Sequence, residues 1–306
     1  MNLEKTTPTS PNFGPGSTST PGGSFDSGDF VEEKLRVRQT LGLTWELLRA
    51  NLGLILGLTL LSYLPQVVMY GLIGDLSPSD DPSATIMTSG VMALLGLLQP
   101  VLLVCMAAAV ALAVFGSLQD EEVSFGQCLG LGLSKLPNLL GQMALGGLCI
   151  GAILILCMIV LSALGFNGRG IESMGLSIFI IIFLMIFLMF WFIVSIFTSV
   201  PACALEGIGP LDSLTRSYNL TKNNRLKIFF AILAPLILKV VFTIFLQAGV
   251  LLIEGGFAIF WAKFIVYIIF DIWPTAFTLT LSSVVYYNLR SVKEGFSIAE
   301  MSSVFD

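Results

Sequence analysis

Two charged side chains stand out because of where they sit, not because of any motif. Lys239 lies near the middle of the apolar run 228–253, and Asp271 lies in the next run, 265–289. A charge at the centre of a membrane helix costs about 2.5–3.5 kcal/mol on insertion scales, so such a group normally faces a partner or water. An ammonium and a carboxylate placed there can bind a charged solute, couple an ion or neutralise each other. Measured along the helices from their cytoplasmic ends, Lys239 is roughly 17 Å deep and Asp271 roughly 27 Å. A direct pair therefore requires Lys239 to reach outward along its stem. The simpler expectation is a structural pair or a snorkelling lysine. Gln247 and Glu254 are further partners for it.

The rest of the chemical inventory is thin. The chain contains no histidine, which excludes His general bases, His-ligated metals and His proton relays. Cys105, Cys128, Cys149, Cys157 and Cys203 never form a CxxC, and most lie in apolar runs, where a free thiol acts as a small hydrophobe. Gly130, Gly132 and Lys135 lack the spacing of a phosphate-binding loop. There is no GxSxG elbow, no zinc-protease motif and no cytoplasmic loop long enough for a soluble catalytic domain. No catalytic residue, metal site or cofactor is therefore assigned, and the chain is not expected to be an enzyme.

Composition explains what must position these groups. Of 306 residues, 55% are hydrophobic and 11% charged, with a mean hydropathy of +0.90. A soluble domain carries about a quarter charged residues. Six apolar runs, near 52–74, 91–117, 138–165, 174–204, 228–253 and 265–289, are each long enough for the ~20 residues a bilayer requires. The expected fold is an all-α integral membrane protein with six transmembrane helices. Residues 1–30, rich in Pro, Gly, Ser and Thr, read as a disordered tail, 31–296 as the membrane domain and 297–306 as a C-terminal cytoplasmic tail. Pro100 and Pro274 are expected to kink their helices.

Basic residues set the orientation. Lys34, Arg36, Arg38, Arg49, Lys135, Arg216, Lys222, Arg225, Lys227, Arg290 and Lys293 all fall on one side, whereas the other carries only Arg169 and Lys263. By the positive-inside rule both termini are cytoplasmic, in a multi-pass protein of the plasma (inner) membrane. Trp261, Tyr267 and Trp273 are read as an aromatic belt at the outer boundary.

The cytoplasmic stretches resemble one another. Leu41, Trp45, Leu48 and Leu52 stand at helical spacing before the first run, and Leu129, Leu133, Leu136 and Leu140 before the third. Leu211, Leu214 and Tyr218 approximate that spacing before the fifth. Each stretch reads as an amphipathic helix in the inner interface, with Ser124 and Pro210 as start signals. The unit of interfacial helix, span and span would then occur three times. The expected partner is the bilayer itself, with anionic headgroups at the inner face. No nucleic-acid partner is expected, and the sequence names no protein partner. Gly53 with Gly57, and Gly147 with Gly151, have the small-xxx-small spacing that lets helix backbones approach.

The stretch 200–221, with Glu206-Gly207 and the run from Arg216 and Ser217 to Leu220 and Thr221, is the most distinctive. The chain ending follows with Tyr286, Tyr287, Leu289, Arg290, Lys293 and Glu294. Together they resemble the membrane domain associated with glycerophosphoryl diester phosphodiesterases, a six-span bacterial and archaeal family of largely unknown function. Asn288 and Ser297 stand where that pattern is acidic. The resemblance implies a fold and a location. The phosphodiesterase reaction belongs to a separate soluble domain, which these 306 residues are not expected to contain. Glu206, Arg216, Arg290, Lys293 and Glu294 are the inner-face candidates. Glu206 is expected to pair with Arg216 across a turn, and Arg290 with Glu294 four residues on; such pairs are typically worth under ~1 kcal/mol when exposed.

The expected function is a non-enzymatic scaffold or accessory component in envelope or lipid-related processes. The alternative is a transporter or channel for a small solute. It requires Lys239, Gln247, Asp271, Thr275, Thr278 and Thr280 to converge on a water-filled cavity.

Overall fold

The computed structural model describes residues 36–75, 82–163, 175–252 and 257–294. The expected tails at 1–30 and 297–306, Arg169 and Glu254 lie outside these ranges, as do the side chains of Gln247 and Lys263. Every element among the described residues is an α-helix. In order they are α1 (Val37–Ala50), α2 (Leu52–Ser62), α3 (Leu64–Asp75), α4 (Pro82–Leu118), α5 (Phe125–Ser134), α6 (Leu136–Ala163), α7 (Gly175–Ile196), α8 (Ser199–Glu206), α9 (Pro210–Thr221), α10 (Arg225–Leu252) and α11 (Phe257–Glu294).

Five helical stretches are long and apolar enough to cross a membrane: Ser89–Leu118, Leu136–Val160, Phe183–Glu206, Arg225–Leu246 and Phe264–Glu294. A sixth is reached if α1 and α2, bent by 91° where they meet, count as one span. The run expected at 52–74 is broken at Tyr63, and the run at 174–204 is broken between Ile196 and Ser199. Both breaks have the same cause. Pro65 and Pro201 have no N–H to offer the carbonyl four residues back, and their rings crowd it. Each proline instead lies in the first turn of the helix that restarts, where a missing N–H is harmless. Pro100, Pro235 and Pro274 lie inside the continuous helices α4, α10 and α11.

The short helices are well specified. In α1 the residues Thr40, Thr44, Leu47 and Leu48 are buried at helical spacing. Ser124 and Gln127 form a reciprocal capping box at the start of α5. Pro210 opens α9, and Asn223 takes the left-handed backbone (φ 74°) in the turn that follows it. Each of these helices leads within one to three residues into an apolar one: α1 through Asn51, α5 through Lys135, α9 through Lys222–Asn224.

Their packing partners follow a pattern. Helix α5 packs on α4; α9 packs on α6, α7 and α8; α1 packs on α10 and α11. Each short helix thus sits on the long helices that precede it, and the first sits on the last. At the centre, α4 presents Cys105 through Ala111 almost fully buried. Gly132 of α5 closes on it so tightly that a Cβ there would stand 2.6 Å from the Cys105 carbonyl oxygen. The Gly53, Gly147 and Gly151 positions face open space, and a Cβ at Gly57 would make only an ordinary contact with Phe125. Of the two small-xxx-small pairs, only Gly57 meets another helix, through Phe125 of α5.

Trp273 stands against Trp45 of α1, with ring centroids 6.5 Å apart. Trp261 packs on Phe264, beside Gly71 of α3. Twelve residues of helix, roughly 18 Å, separate the two tryptophans. Trp273 therefore packs on α1, apart from Trp261.

Candidate functional site

The strongest charge cluster gathers the ends of α8 and α11 around the middle of α9. Glu206 is the last residue of α8, where Gly207 turns the chain with φ 66°, a backbone that glycine adopts without strain. This turn sends α9 back past Glu206, so that Arg216 meets its carboxylate two-pronged: Nη2 donates to Oε1 at 3.0 Å and Nε reaches both oxygens at 3.2 Å. Arg216 Nη1 also binds Glu294 Oε1. Arg290 Nε donates to Glu294 Oε2 at 3.2 Å, and its Nη1 lies 3.8 Å from Glu206 Oε1. The four charges close a ring of alternating sign.

Beneath the ring, the fully buried Tyr286 donates its hydroxyl to Glu206 Oε1 at 2.5 Å. The ring side chains are 15–30% exposed, so they keep more of their attraction than surface pairs do. Burial alone would lower the Arg216 pKa, but hydrogen bonds to Glu294 and Glu206, with their charges, raise it instead. The arrangement neutralises itself and fastens three helices together. Lys293 stands outside the ring and donates its Nζ to the Asn219 carbonyl of α9.

The mid-helix pair is also made. Lys239 Nζ lies 2.8 Å from Asp271 Oδ1. The other carboxylate oxygen, Oδ2, accepts from the Tyr63 hydroxyl at 2.6 Å, and that hydroxyl is 2.9 Å from Thr275 Oγ1. Tyr63 occupies the break between α2 and α3, so the Pro65 interruption turns its side chain to this site. Beside the pair, Lys239, Phe242, Tyr267, Phe270 and Asp271 line a dimple of about 10 Å³, room for a single water. Thr278 and Thr280 instead bond carbonyls of their own helix, Pro274 at 2.7 Å and Ala276 at 2.9 Å.

A third cluster was not visible in the sequence. The Arg225 guanidinium lies between two aromatic rings, 4.2 Å from the Tyr218 centroid and 4.8 Å from that of Trp191. Tyr286 and Tyr63 were likewise missed. A tyrosine within an apolar run, with a proline two residues on, was the available signal for Tyr63.

Among the described residues no group of three or more Cys, Asp or Glu side chains is arranged to hold a metal ion. No curated protein matches the chain. No solved structure matches it either. The family comparison gives one result: residues 35–292 match the family described as a domain of unknown function (DUF7847). That range holds the Lys239–Asp271 pair and all of the charged ring but Glu294, and the chain belongs to this family.

Proposed function

We propose that the chain is a non-enzymatic protein of the plasma membrane, a scaffold or accessory component in envelope or lipid-related processes, with the charged ring on the cytoplasmic side. The observation that carries this reading is that the charges satisfy one another. The Glu206–Arg216–Glu294–Arg290 ring is neutral and ties three helices. The Lys239–Asp271 pair is closed by Tyr63 beside a dimple the size of one water. Charges spent on each other favour holding a shape over passing a solute.

The finer architecture is part of the same proposal. The three short helices α1, α5 and α9 are the interfacial helices of a threefold repeat. The support is their cyclic packing, each on the long helices before it. Both termini are cytoplasmic on the basic-residue count. The likeness to the membrane domain of glycerophosphoryl diester phosphodiesterases enters here too, on the strength of Glu206, Gly207, Arg216 and the Tyr286–Glu294 ending.

A transporter is the second reading, favoured by Lys239 and Asp271 beside the dimple. One experiment separates the two. A deletion strain is profiled for lipids and soluble metabolites, then complemented with Arg216→Gln or with the double variant Lys239→Leu/Asp271→Leu. A scaffold predicts an altered envelope or lipid profile that Lys239→Leu/Asp271→Leu restores and Arg216→Gln does not. Accumulation of one solute, with the double variant inactive, would overturn the proposal in favour of transport.

A further inference from the structure

Arg225 opens α10 in an unusual state. Its guanidinium lies over the rings of both Trp191 on α7 and Tyr218 on α9. Its Nε is buried and meets no acceptor. Among the described residues no carboxylate lies within 4.0 Å of Arg225 or Lys222. A buried guanidinium N–H without an acceptor is costly, and charged donors more so than neutral ones.

Other cations crowd the same turn. Tyr218 titrates below its ordinary value, through its hydrogen bond to Arg225 first and then the charges of Arg225 and Lys222. Lys293 bonds the Asn219 carbonyl next to Tyr218 and lies close enough to feel the like charges of Lys222 and Arg225. Glu294, the nearest acid in sequence, is committed to Arg216 and Arg290. Three positive groups are therefore held together, and among the described residues the only acid acting on them is Glu294, beside Lys293, which the ring already uses.

The aromatic pair holds the Arg225 guanidinium in place. A guanidinium so held offers N–H donors in a fixed fork, which two phosphate oxygens can accept. Trp191 is 43% exposed on the bundle perimeter, where an indole marks the headgroup level of a membrane. We propose that Lys222, Arg225 and Lys293 form a binding site for the phosphate of an anionic phospholipid headgroup, with Arg225 as its fixed donor. This rests on the membrane placement of the proposed function.

The test uses the full chain in detergent micelles, titrated with phosphatidylglycerol or phosphatidylcholine, with lipid retention read by native mass spectrometry. The expected result is selective retention of phosphatidylglycerol. Lys222→Gln, an exposed position, should weaken it on the order of fivefold, the worth of one basic group near an anionic surface. Arg225→Lys, which keeps the charge and loses the stacked fork, should weaken it at least as much. Arg38→Gln, an exposed change away from the cluster, should leave it unchanged.

Unaltered unfolding of Lys222→Gln in phosphatidylcholine micelles separates lost binding from lost structure. Equal loss on Arg38→Gln means diffuse attraction and overturns the site. Displacement of the lipid by millimolar inorganic phosphate assigns the pocket to soluble anions and overturns the lipid ligand. A chain that stays in solution without detergent overturns the membrane placement and this site together. A chain that inserts but shows no headgroup preference overturns the site alone.

Discussion

Arg216 on α9 and Glu294 at the end of α11 are joined directly, Nη1 to Oε1, although α10 and the whole length of α11 lie between them in the chain. The same guanidinium holds Glu206 from its other edge. Removing it leaves two largely buried carboxylates to share the single guanidinium of Arg290. Arg216→Gln is expected to cost about 2 kcal/mol, within the range for charges left unpaired in partial burial. Chemical unfolding in micelles measures it. Arg216→Lys should recover only part, because an ammonium cannot grip both acids as a fork does.

The mid-helix pair should be asymmetric. Asp271→Leu leaves the Lys239 ammonium facing an apolar surface, a loss on the order of 2–3 kcal/mol on insertion scales. Lys239→Leu leaves a carboxyl that Tyr63 still holds, and it should cost less. Lys239→Leu/Asp271→Leu should cost less than Asp271→Leu alone. A double-mutant cycle in which the two changes simply add would show the pair to be uncoupled.

Gly132 is a packing glycine of this fold. Gly132→Ala drives a methyl against the Cys105 carbonyl at 2.6 Å, and overpacking of this kind costs typically 1–3 kcal/mol. Gly147→Ala and Gly151→Ala meet nothing within 4 Å, so the better helix propensity of alanine should make them neutral or stabilising by up to about 1 kcal/mol. Thermal unfolding of the three variants should rank Gly132→Ala lowest.

Thiol labelling should divide the cysteines. Cys128 on α5 is fully buried, and burial raises its pKa above the ordinary thiol value. Less of it is thiolate near neutral pH, and reagents cannot reach it. Cys149 is exposed on α6. A bilayer-permeant maleimide should modify Cys149 in the folded protein and Cys128 only after denaturation, as peptide mass mapping would report.

What could be read from the sequence depended on distance along the chain. Arg290 and Glu294 stand one helical turn apart, and Glu206 faces Arg216 across a single glycine turn, so both pairs were visible locally. The Arg216–Glu294 and Tyr286–Glu206 contacts join remote helices, and no spacing rule announces them. For Lys239 the depth argued that a partner was needed, but Tyr63 as the second hand on Asp271 depended on a proline break inside an apparently uniform run. The glycines show the opposite failure. The recurrent spacing marks Gly53, Gly147 and Gly151, which meet nothing within 4 Å, while Gly132, in the leucine-rich stretch before the third run, carries no such mark.

The packing of α1 on α10 and α11 sets an order of events during synthesis. The first helix is made when its partners do not yet exist, and most of the chain must follow before they do. At about 5–20 residues per second this is a wait of roughly ten seconds or more. Throughout that interval the face carrying Thr40, Thr44, Leu47 and Leu48 lacks its α10 and α11 neighbours. The nascent chain must therefore shelter that face by other means until the last helix arrives, and a chain truncated before α11 would expose it indefinitely to quality control.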